Sequence, residues 1–284
     1  MTSAPAPFGA RLAAAADAHG PLCVGIDPHA SLLADWGLAD DAGGVREFAL
    51  RVMEAVAGRV AAVKPQAAFF ERHGSAGVAV LEEVVAAGRQ TGTLVVVDAK
   101  RGDIGSTMGA YAEAFLRDGS PLAGDALTVS PYLGVGSLQP AVDLALATGR
   151  GLFVLCLTSN PEGRELQHAR TSHGTSVAAG VAGYAASLNA GVEPFGSVGL
   201  VVGATVGDGA RQAGVDLAAV NGPLLAPGVG AQGAGPQELA SVFGPARRLV
   251  LASSSRGVLR AGPDVAALRA AAASASSEAE AALR

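Results

Sequence analysis

Eight short apolar runs, separated by segments of helical periodicity, restrict the fold of this chain more than any other feature of its sequence. Each run has the length of a buried strand, and apolar residues recur at helical spacing in the segments between them. Strands that alternate with helices pair in parallel through right-handed crossovers. The pattern therefore predicts an α/β fold, the closed (β/α)8 or TIM barrel, with an open doubly wound sheet as the alternative. The predicted strands lie at 22–26, 60–64, 94–98, 125–129, 152–157, 198–202, 223–226 and 248–252.

The helices of the predicted barrel are visible between the strands. Before the second strand, Val45, Phe48, Val52 and Val56 recur on one face, as the buried residues of an amphipathic helix do. No composition shift marks a linker, so 1–284 is predicted to be a single domain, with a barrel core at about 20–260 and an N-terminal lead and a C-terminal helix attached. We expect further helices at 78–85, from 107, at 135–148, 177–188, 204–213 and 236–243, and an outer helix from 263 whose Ser/Glu-rich end frays.

The composition limits the partners of the chain. Half of the residues are hydrophobic but only 4% are aromatic, so the core must be built from Ala, Val and Leu. The formal net charge of −5 argues against a nucleic-acid binder, which normally presents a basic face. An anionic ligand would therefore have to be bound by local positive groups.

The sequence also indicates a cytoplasmic protein with no membrane partner. Residues 1–7 lack the basic region followed by an apolar region that marks a signal peptide. No uncharged apolar run approaches the ~20 residues needed to span a bilayer. Cys23 and Cys156 lie in apolar runs and are expected to pack as small hydrophobic residues rather than to form a disulfide.

Charged side chains follow the predicted strands, which is where a barrel of this kind carries its active groups. The segment LVVVDAKRGDIGST ends a buried strand and places Asp98, Lys100 and Asp103 within six residues. Asp98 and Lys100 point to the same face, because side chains alternate along a strand. An isolated acid–base pair would be read as an exposed ion pair of a loop. Asp27 after the first strand and Lys64 at the end of the second favour an active site instead, since buried charges need partners.

A phosphate site is predicted after the last two strands. The segment APGVGAQGAG contains Gly228 and Gly230, whose backbone is free to turn its N–H groups toward an anion, and Gln232, which can donate from its amide. Arg256, directly after SSS, adds a fixed charge with a planar fork that suits phosphate oxygens. A glycine-rich segment alone would indicate only a turn, but a phosphate site at the seventh and eighth loops is common in this fold.

These motifs together resemble one enzyme family. The segment DAKRGDI, with a threonine three residues after the isoleucine, resembles the signature of orotidine 5′-phosphate decarboxylase. The segments KPQ, FFE, TSNP, PGVGAQG and SSSR are most similar to the longer bacterial subgroup, and the similarity spans about 22–258. D-x-K-x-x-D alone is shared with related sugar-phosphate enzymes, whereas the whole set is highly specific.

The resemblance implies that orotidine 5′-phosphate loses CO2 to give uridine 5′-phosphate, in the last step of de novo pyrimidine synthesis, without metal or organic cofactor. Loss of CO2 leaves a carbanion that the ring cannot delocalise, so its stabilisation must be electrostatic, with protonation by Lys100. The family's catalytic array maps onto Lys64, Asp98, Lys100 and Asp103. Asp103, with Ile104 and Thr107, would enter the site of a neighbouring subunit, which implies a homodimer with shared active sites.

The resemblance also implies how the substrate is held. Asp27 and Lys64 would bind the ribose hydroxyls, and Ser159 of TSNP would bind the pyrimidine edge. Pro227 would pack near the base, while Gln232 and Arg256 would hold the phosphate.

Two other functions stay open at the level of sequence. One is a metal-dependent sugar-phosphate decarboxylase or aldolase on the same barrel, although the five histidines show no metal-ligand spacing. The other is a catalytically silent nucleotide-binding protein, which would not need two carboxylates beside an anionic substrate. For Tyr132, after the fourth strand, lining of the pocket stays open, but packing or support of its loop is expected.

Overall fold

The fold is a closed barrel of eight parallel strands, given by a computed structural model that describes residues 6–229 and 235–284. Each strand pairs with the next one along the chain, and the last pairs with the first. The predicted TIM barrel is confirmed, and the open sheet is excluded. The strands are β1 (Leu22–Ile26), β2 (Ala62–Pro65), β3 (Leu94–Arg101), β4 (Ala126–Val129), β5 (Gly151–Leu157), β6 (Val198–Val202), β7 (Leu224–Pro227) and β8 (Val250–Ser254).

Helices cover the outside of this barrel. Short 3₁₀ helices at Val135–Leu138 and Gly244–Leu249 precede α7 and β8. The α-helices are α1 (Phe8–His19), α2 (Ala30–Asp35), α3 (Ala42–Val56), α4 (Ala68–Glu71), α5 (Gly74–Thr91), α6 (Gly105–Leu116), α7 (Gln139–Ala147), α8 (Gly163–Gln167), α9 (Val177–Asn189), α10 (Gly209–Ala213), α11 (Pro236–Phe243), α12 (Arg256–Leu259) and α13 (Val265–Leu283).

Three helical expectations need correction. The helix predicted at 204–213 is confined to α10, because the turn before it contains Gly207 with a φ of +53°. Helix α8 lies within 160–174, where no helix was predicted. The C-terminal end does not fray: α13 continues to Leu283, which is buried, and Arg284 pairs with Asp17 of α1 at 2.8 Å.

Helix α1, which the sequence analysis did not predict, closes the amino-terminal end of the barrel. Phe8 is fully buried and meets Phe153 of β5 edge to face, with ring centroids 5.9 Å apart. A side chain at Gly151 would collide with the Phe8 ring, at 2.1 Å, so the glycine makes room for this plug. Arg11 also forms an ion pair with Asp125, which accepts a hydrogen bond from the Val95 N–H. The open end of the barrel is therefore the opposite one, where the strands end.

The expectation that the two cysteines pack in the interior is confirmed. Cys23 and Cys156 are free and buried, and burial raises the pKa of each thiol to about 12. Trp36 packs on Phe48, and its indole N–H donates to the Leu259 carbonyl at 3.1 Å. None of the helices within the described ranges is long and apolar enough to cross a membrane.

Candidate active site

A cavity of about 660 Å³ opens at the carboxyl ends of the strands. It lies above the apolar layer that fills the lower half of the barrel and includes the Phe8 plug. Eight residues predicted for the site line it, from six strands or the loops that follow them: Asp27, Lys64, Asp98, Lys100, Ser159, Pro227, Gly228 and Arg256.

The alternation of side chains along each strand explains why the charged groups point inward. On β3, Val96 packs in the barrel interior, so Asp98, two residues later, faces the same side, and Lys100 lines the cavity beside it. On β2, Ala62 packs inside and Lys64 follows at the same spacing. The apolar part of each strand thus fixes the direction of its polar end.

Asp98 bridges two ammonium groups. Its Oδ2 lies 2.9 Å from Nζ of Lys64, and its Oδ1 lies 2.6 Å from Nζ of Lys100. Lys64 and Asp98 are buried, whereas the Lys100 side chain is 42% exposed. The arrangement holds one ammonium inside the wall and presents the other to the cavity.

The surroundings keep these groups ionised. Burial by itself would raise the pKa of Asp98, but the charges of Lys64 and Lys100 outweigh it and hold that pKa well below its usual range. Burial would likewise lower the pKa of Lys64, but the carboxylates of Asp98 and Asp27 outweigh it and raise that pKa above its ordinary value. Fixed charges of both signs therefore persist at neutral pH.

Two neutral side chains complete the hydrogen bonding of the Asp98 carboxylate. The Thr128 hydroxyl donates to Oδ1 at 2.8 Å, and the Gln66 amide donates to Oδ2 at 3.0 Å. With the two ammonium groups, each carboxylate oxygen accepts two hydrogen bonds. Such a saturated carboxylate is preorganised, because its position needs no rearrangement when charge develops nearby.

Asp27 carries an acceptor that the protein leaves open. Its Oδ1 is buried and has no hydrogen-bond partner among residues 6–229 and 235–284, and it lies 3.9 Å from Nζ of Lys64. Buried carboxylate oxygens normally have donors. A ligand hydroxyl at this point would satisfy the oxygen.

The part of the cavity wall that follows β8 carries cationic groups. Arg256 begins α12 directly after β8, and Arg260 lines the same cavity at the end of that helix. Gly228 has a φ of +96°, a conformation that favours glycine, in the turn after β7. Gly230 and Gln232, also predicted for the phosphate site, lie outside the described residues.

Ser159 lies in the turn after β5 and lines the same cavity. Gln167 of α8 holds this turn, since it accepts from the Thr158 N–H at 3.0 Å and donates to the Thr158 hydroxyl at 2.7 Å. Gly203 lies close to Ser159: a side chain there would come within 3.1 Å of the Ser159 nitrogen. The stretch 160–174 thus contributes to the wall of the site.

The chain is similar to proteins of one known family. The sequence model described as the orotidine 5′-phosphate decarboxylase / HUMPS family matches residues 20–271. A protein named orotidine 5′-phosphate decarboxylase from Streptomyces coelicolor is 65% identical over 266 residues, which cover 94% of each chain. A namesake from Salinispora arenicola is 62% identical over 93% of this chain and 94% of its own.

The chain belongs to the orotidine 5′-phosphate decarboxylase / HUMPS family. Solved structures agree. A Streptomyces avermitilis crystal structure, itself assigned as this decarboxylase, superposes with a TM-score of 0.95 at 63% identity and covers 99% of this chain and 97% of its own. The Leishmania donovani OMP decarboxylase gives a TM-score of 0.73 at 33% identity and covers 97% of this chain and 98% of its own.

Three residues that this family resemblance assigned to a neighbouring site do not line the cavity of their own chain. Asp103 accepts the Ile104 N–H at 2.8 Å and forms no ion pair with Lys100 within the described part of the chain. Ile104 is 61% exposed, and Thr107, in the first turn of α6, is exposed too. One decarboxylase chain therefore brings together Lys64, Asp98 and Lys100 but leaves Asp103 outside.

Gln66 and Thr128 belong to this decarboxylase site but were not predicted, and the expectation that Tyr132 packs was wrong. Both missed residues continue the inward alternation of their strands, after Lys64 on β2 and after Ala126 on β4, and that spacing was the available signal. Tyr132 neither packs nor lines the cavity, because it is 74% exposed.

Across 6–229 and 235–284, no group of three or more His, Cys, Asp or Glu side chains is arranged to hold a metal ion.

Proposed function

We propose that this chain decarboxylates orotidine 5′-phosphate to uridine 5′-phosphate and CO2, as the last step of de novo pyrimidine nucleotide synthesis. The observation that carries the proposal is the Lys64–Asp98–Lys100 array, in which one buried carboxylate lies 2.9 and 2.6 Å from two ammonium groups. Arg256 lines the same cavity, as a substrate with both a phosphate and a reacting carboxylate requires. The high sequence identity to proteins named orotidine 5′-phosphate decarboxylase supports the same reaction.

The proposed chemistry is electrostatic. Departure of CO2 leaves an electron pair in an sp² orbital of the pyrimidine ring, where no ring position delocalises it. Lys100 presents a cation to the cavity, so it stabilises the developing carbanion and then donates a proton to that carbon. Asp98 stays ionised beside the substrate carboxylate, and the repulsion between them is relieved as CO2 leaves.

The rest of the cavity supplies binding energy. The unpartnered Oδ1 of Asp27, together with Lys64, suits the ribose hydroxyls. Ser159 faces the pyrimidine edge, and Pro227 packs near the base. In our proposal Arg256, Gly228, Gly230 and Gln232 hold the phosphate. Binding at that remote group supports catalysis when it holds the reacting ring in place against the charged array.

The first test is the loss of absorbance of orotidine 5′-phosphate with purified protein, measured with and without a metal chelator. We expect turnover that the chelator leaves unchanged, because the proposed chemistry uses only side chains of the protein. A requirement for an added divalent ion would favour the metal-dependent sugar-phosphate enzyme instead. Binding of uridine 5′-phosphate without turnover of the substrate would favour a silent nucleotide-binding protein.

We also propose a cytoplasmic homodimer with shared active sites. Ile104 after β3 and the pair Tyr132 and Leu133 after β4 are 61%, 74% and 53% exposed. The two loops touch, because a side chain on Gly102 would lie 2.5 Å from the Ser130 carbonyl. Apolar side chains grouped in this way at the rim of a site are typical of a protein interface.

A second cavity offers room for the partner. Its volume is about 560 Å³, and it shares Asp27, Gln66 and Lys100 with the main cavity. It therefore reaches Lys100 from the side, next to the β3 loop that carries Asp103. In our proposal the partner's Asp103 enters here and becomes the second carboxylate beside Lys100.

Mixing two inactive variants tests the shared site. Lys100→Ala and Asp103→Asn should each be inactive alone, because each lacks one member of every array. After dissociation and random reassociation, half of the dimers are mixed, and each mixed dimer has one intact site, so about a quarter of wild-type activity should return. The measurement is the specific activity of the reassociated mixture.

Each variant taken alone through the same dissociation is the control and should stay inactive. Absence of recovery in a mixture shown by mass spectrometry to contain mixed dimers would contradict the shared site. Full activity of Asp103→Asn alone would contradict it as well.

A further inference from the structure

The pairing of β3 with β4 is interrupted beside the charged array. Val97 pairs with Leu127 and Arg101 pairs with Val129, so β3 advances four residues while β4 advances two. The surplus falls on Asp98, Ala99 and Lys100, which in the register lie opposite Thr128 alone. A strand with extra residues bulges, and its backbone groups leave the regular ladder.

The bulge places Lys100 in an unusual backbone conformation. Its φ is +46°, and Lys100 is one of two non-glycine residues with positive φ between residues 6 and 229 or 235 and 284. A residue with a side chain occupies this left-handed region at an energetic cost, so the surrounding structure must hold it there. The conformation matters because Lys100 carries the ammonium that faces the cavity.

Thr128 replaces the hydrogen bond that the bulge removes. The Lys100 N–H donates to the Thr128 hydroxyl oxygen at 2.9 Å, and the hydroxyl donates to Oδ1 of Asp98 at 2.8 Å. That same carboxylate oxygen accepts Nζ of Lys100 at 2.6 Å. One buried hydroxyl therefore connects the backbone of Lys100 with the partner of its side chain.

The direction of the hydroxyl proton is fixed by its neighbours. A backbone N–H can only donate, and an ionised carboxylate can only accept. The Thr128 hydroxyl must therefore accept from Lys100 and donate to Asp98. Valine has the same shape but neither function, so it would leave the Lys100 N–H without this partner and take one donor from Asp98.

We propose that Thr128 is a positioning residue, which holds the left-handed backbone of Lys100 and the Asp98 carboxylate in one geometry and so sets where the ammonium meets the reacting carbon. Thr128 need not touch that carbon. The inference rests on the proposed decarboxylation, because its consequence is a rate. It adds a third strand, β4, to β2 and β3, which supply the catalytic array.

Thr128→Val tests the inference. Since displacement of a catalytic group by about 1 Å costs on the order of 10²-fold in rate, we expect kcat to fall by about 10²-fold. KM should change less than about threefold, because the ribose and phosphate contacts are untouched. Both constants come from the absorbance assay, and urea unfolding of the same samples shows that the variant is folded.

Two matched variants separate positioning from packing. Thr128→Ser keeps the hydroxyl and loses a methyl group, so its kcat should stay within about fivefold of wild type. Thr93→Val removes another buried threonine hydroxyl, which accepts the Gly58 N–H at 2.7 Å just before β3 begins. It should lower stability and leave kcat unchanged. A Thr128→Ser variant as slow as Thr128→Val, or a Thr128→Val variant within about threefold of wild type, would overturn the proposal.

A crystal structure of Thr128→Val gives an answer that does not depend on turnover. We expect Lys100 to leave the left-handed region, or its Nζ to move beyond about 3.5 Å from Oδ1 of Asp98, where a hydrogen bond is lost. Unchanged geometry at both points would overturn the proposal. If the wild-type protein fails to decarboxylate the substrate, the proposed function is wrong. The crystal structure of Thr128→Val would still decide whether Thr128 positions Lys100.

Discussion

Lys100→Ala is expected to lower kcat by at least about 10⁴-fold while the barrel stays folded, because general-acid and electrostatic contributions of 10²-fold or more each are lost together. The fold should survive since Asp98 keeps Lys64, Gln66 and Thr128 as partners. Alanine also has a Cβ, so the left-handed backbone at position 100 is strained in both proteins. The comparison therefore isolates the ammonium group.

Single-turnover kinetics and calorimetric titration with uridine 5′-phosphate measure the two sides of this prediction. We expect the affinity for the nucleotide to stay within about tenfold, because Lys100 acts on the reacting carbon more than on the bound product. Lys100→Arg is the matched control. It keeps the charge, but a guanidinium does not release its proton, so it should remain nearly inactive if protonation by Lys100 is required. Near-native turnover of Lys100→Ala would refute the assignment.

The barrel could be predicted because each buried parallel strand appears in the sequence as a continuous apolar run. The strand ends were harder to place. The third strand was predicted to end at Asp98, but β3 continues to Arg101, since pairing with β4 resumes beyond the bulge. Helix α1 was missed because its alanine-rich sequence shows a weak apolar face, and its burial comes from Phe8, which enters a space left by Gly151.

The candidate site, like the fold, could be predicted from the sequence only in part. Charged residues at the ends of buried strands indicate a site from the sequence alone, because burying a charge is energetically costly unless it is paired. The left-handed Lys100 and its link to Thr128 depend on the register between two strands, which a single sequence does not contain. One signal was available and unused: the chain has only two lysines, Lys64 and Lys100, against 18 arginines. Both bind Asp98.

The binding of both lysines to Asp98 leads to a second prediction, which concerns the stability and the activity of a variant at Asp98. Asp98→Asn should destabilise the protein by about 3–5 kcal/mol at pH 7, because it leaves the buried ammonium of Lys64 with Asp27 alone, 3.9 Å away. Activity should be lost as well, since the position of Lys100 is no longer set by a carboxylate. Urea unfolding gives the difference in unfolding free energy between variant and wild type.

The pH dependence of that difference follows from the two pKa shifts. The pKa of Asp98 is lowered by folding, so its contribution is present above the unfolded pKa of about 4 and is lost as the pH falls below it. The pKa of Lys64 is raised, so its contribution is present below about 10.4 and is lost as the pH rises above it. The difference should therefore be largest between about pH 5 and 9. A difference that is independent of pH would contradict the buried ion pair.

Lysine-selective ¹³C labelling tests the same pair directly, since only two side-chain signals arise. In the wild type, the signal of Lys64 should titrate above the ordinary lysine pKa, because the carboxylates of Asp98 and Asp27 outweigh burial. In Asp98→Asn the main attraction is gone while burial stays, so the pKa of Lys64 should fall below its ordinary value. Asp103→Asn is the matched control, because Asp103 forms no ion pair with Lys64 within its own chain. If the Lys64 signal titrates alike in all three proteins, Asp98 does not hold the charge of Lys64, and the electrostatic basis of the proposed site is wrong.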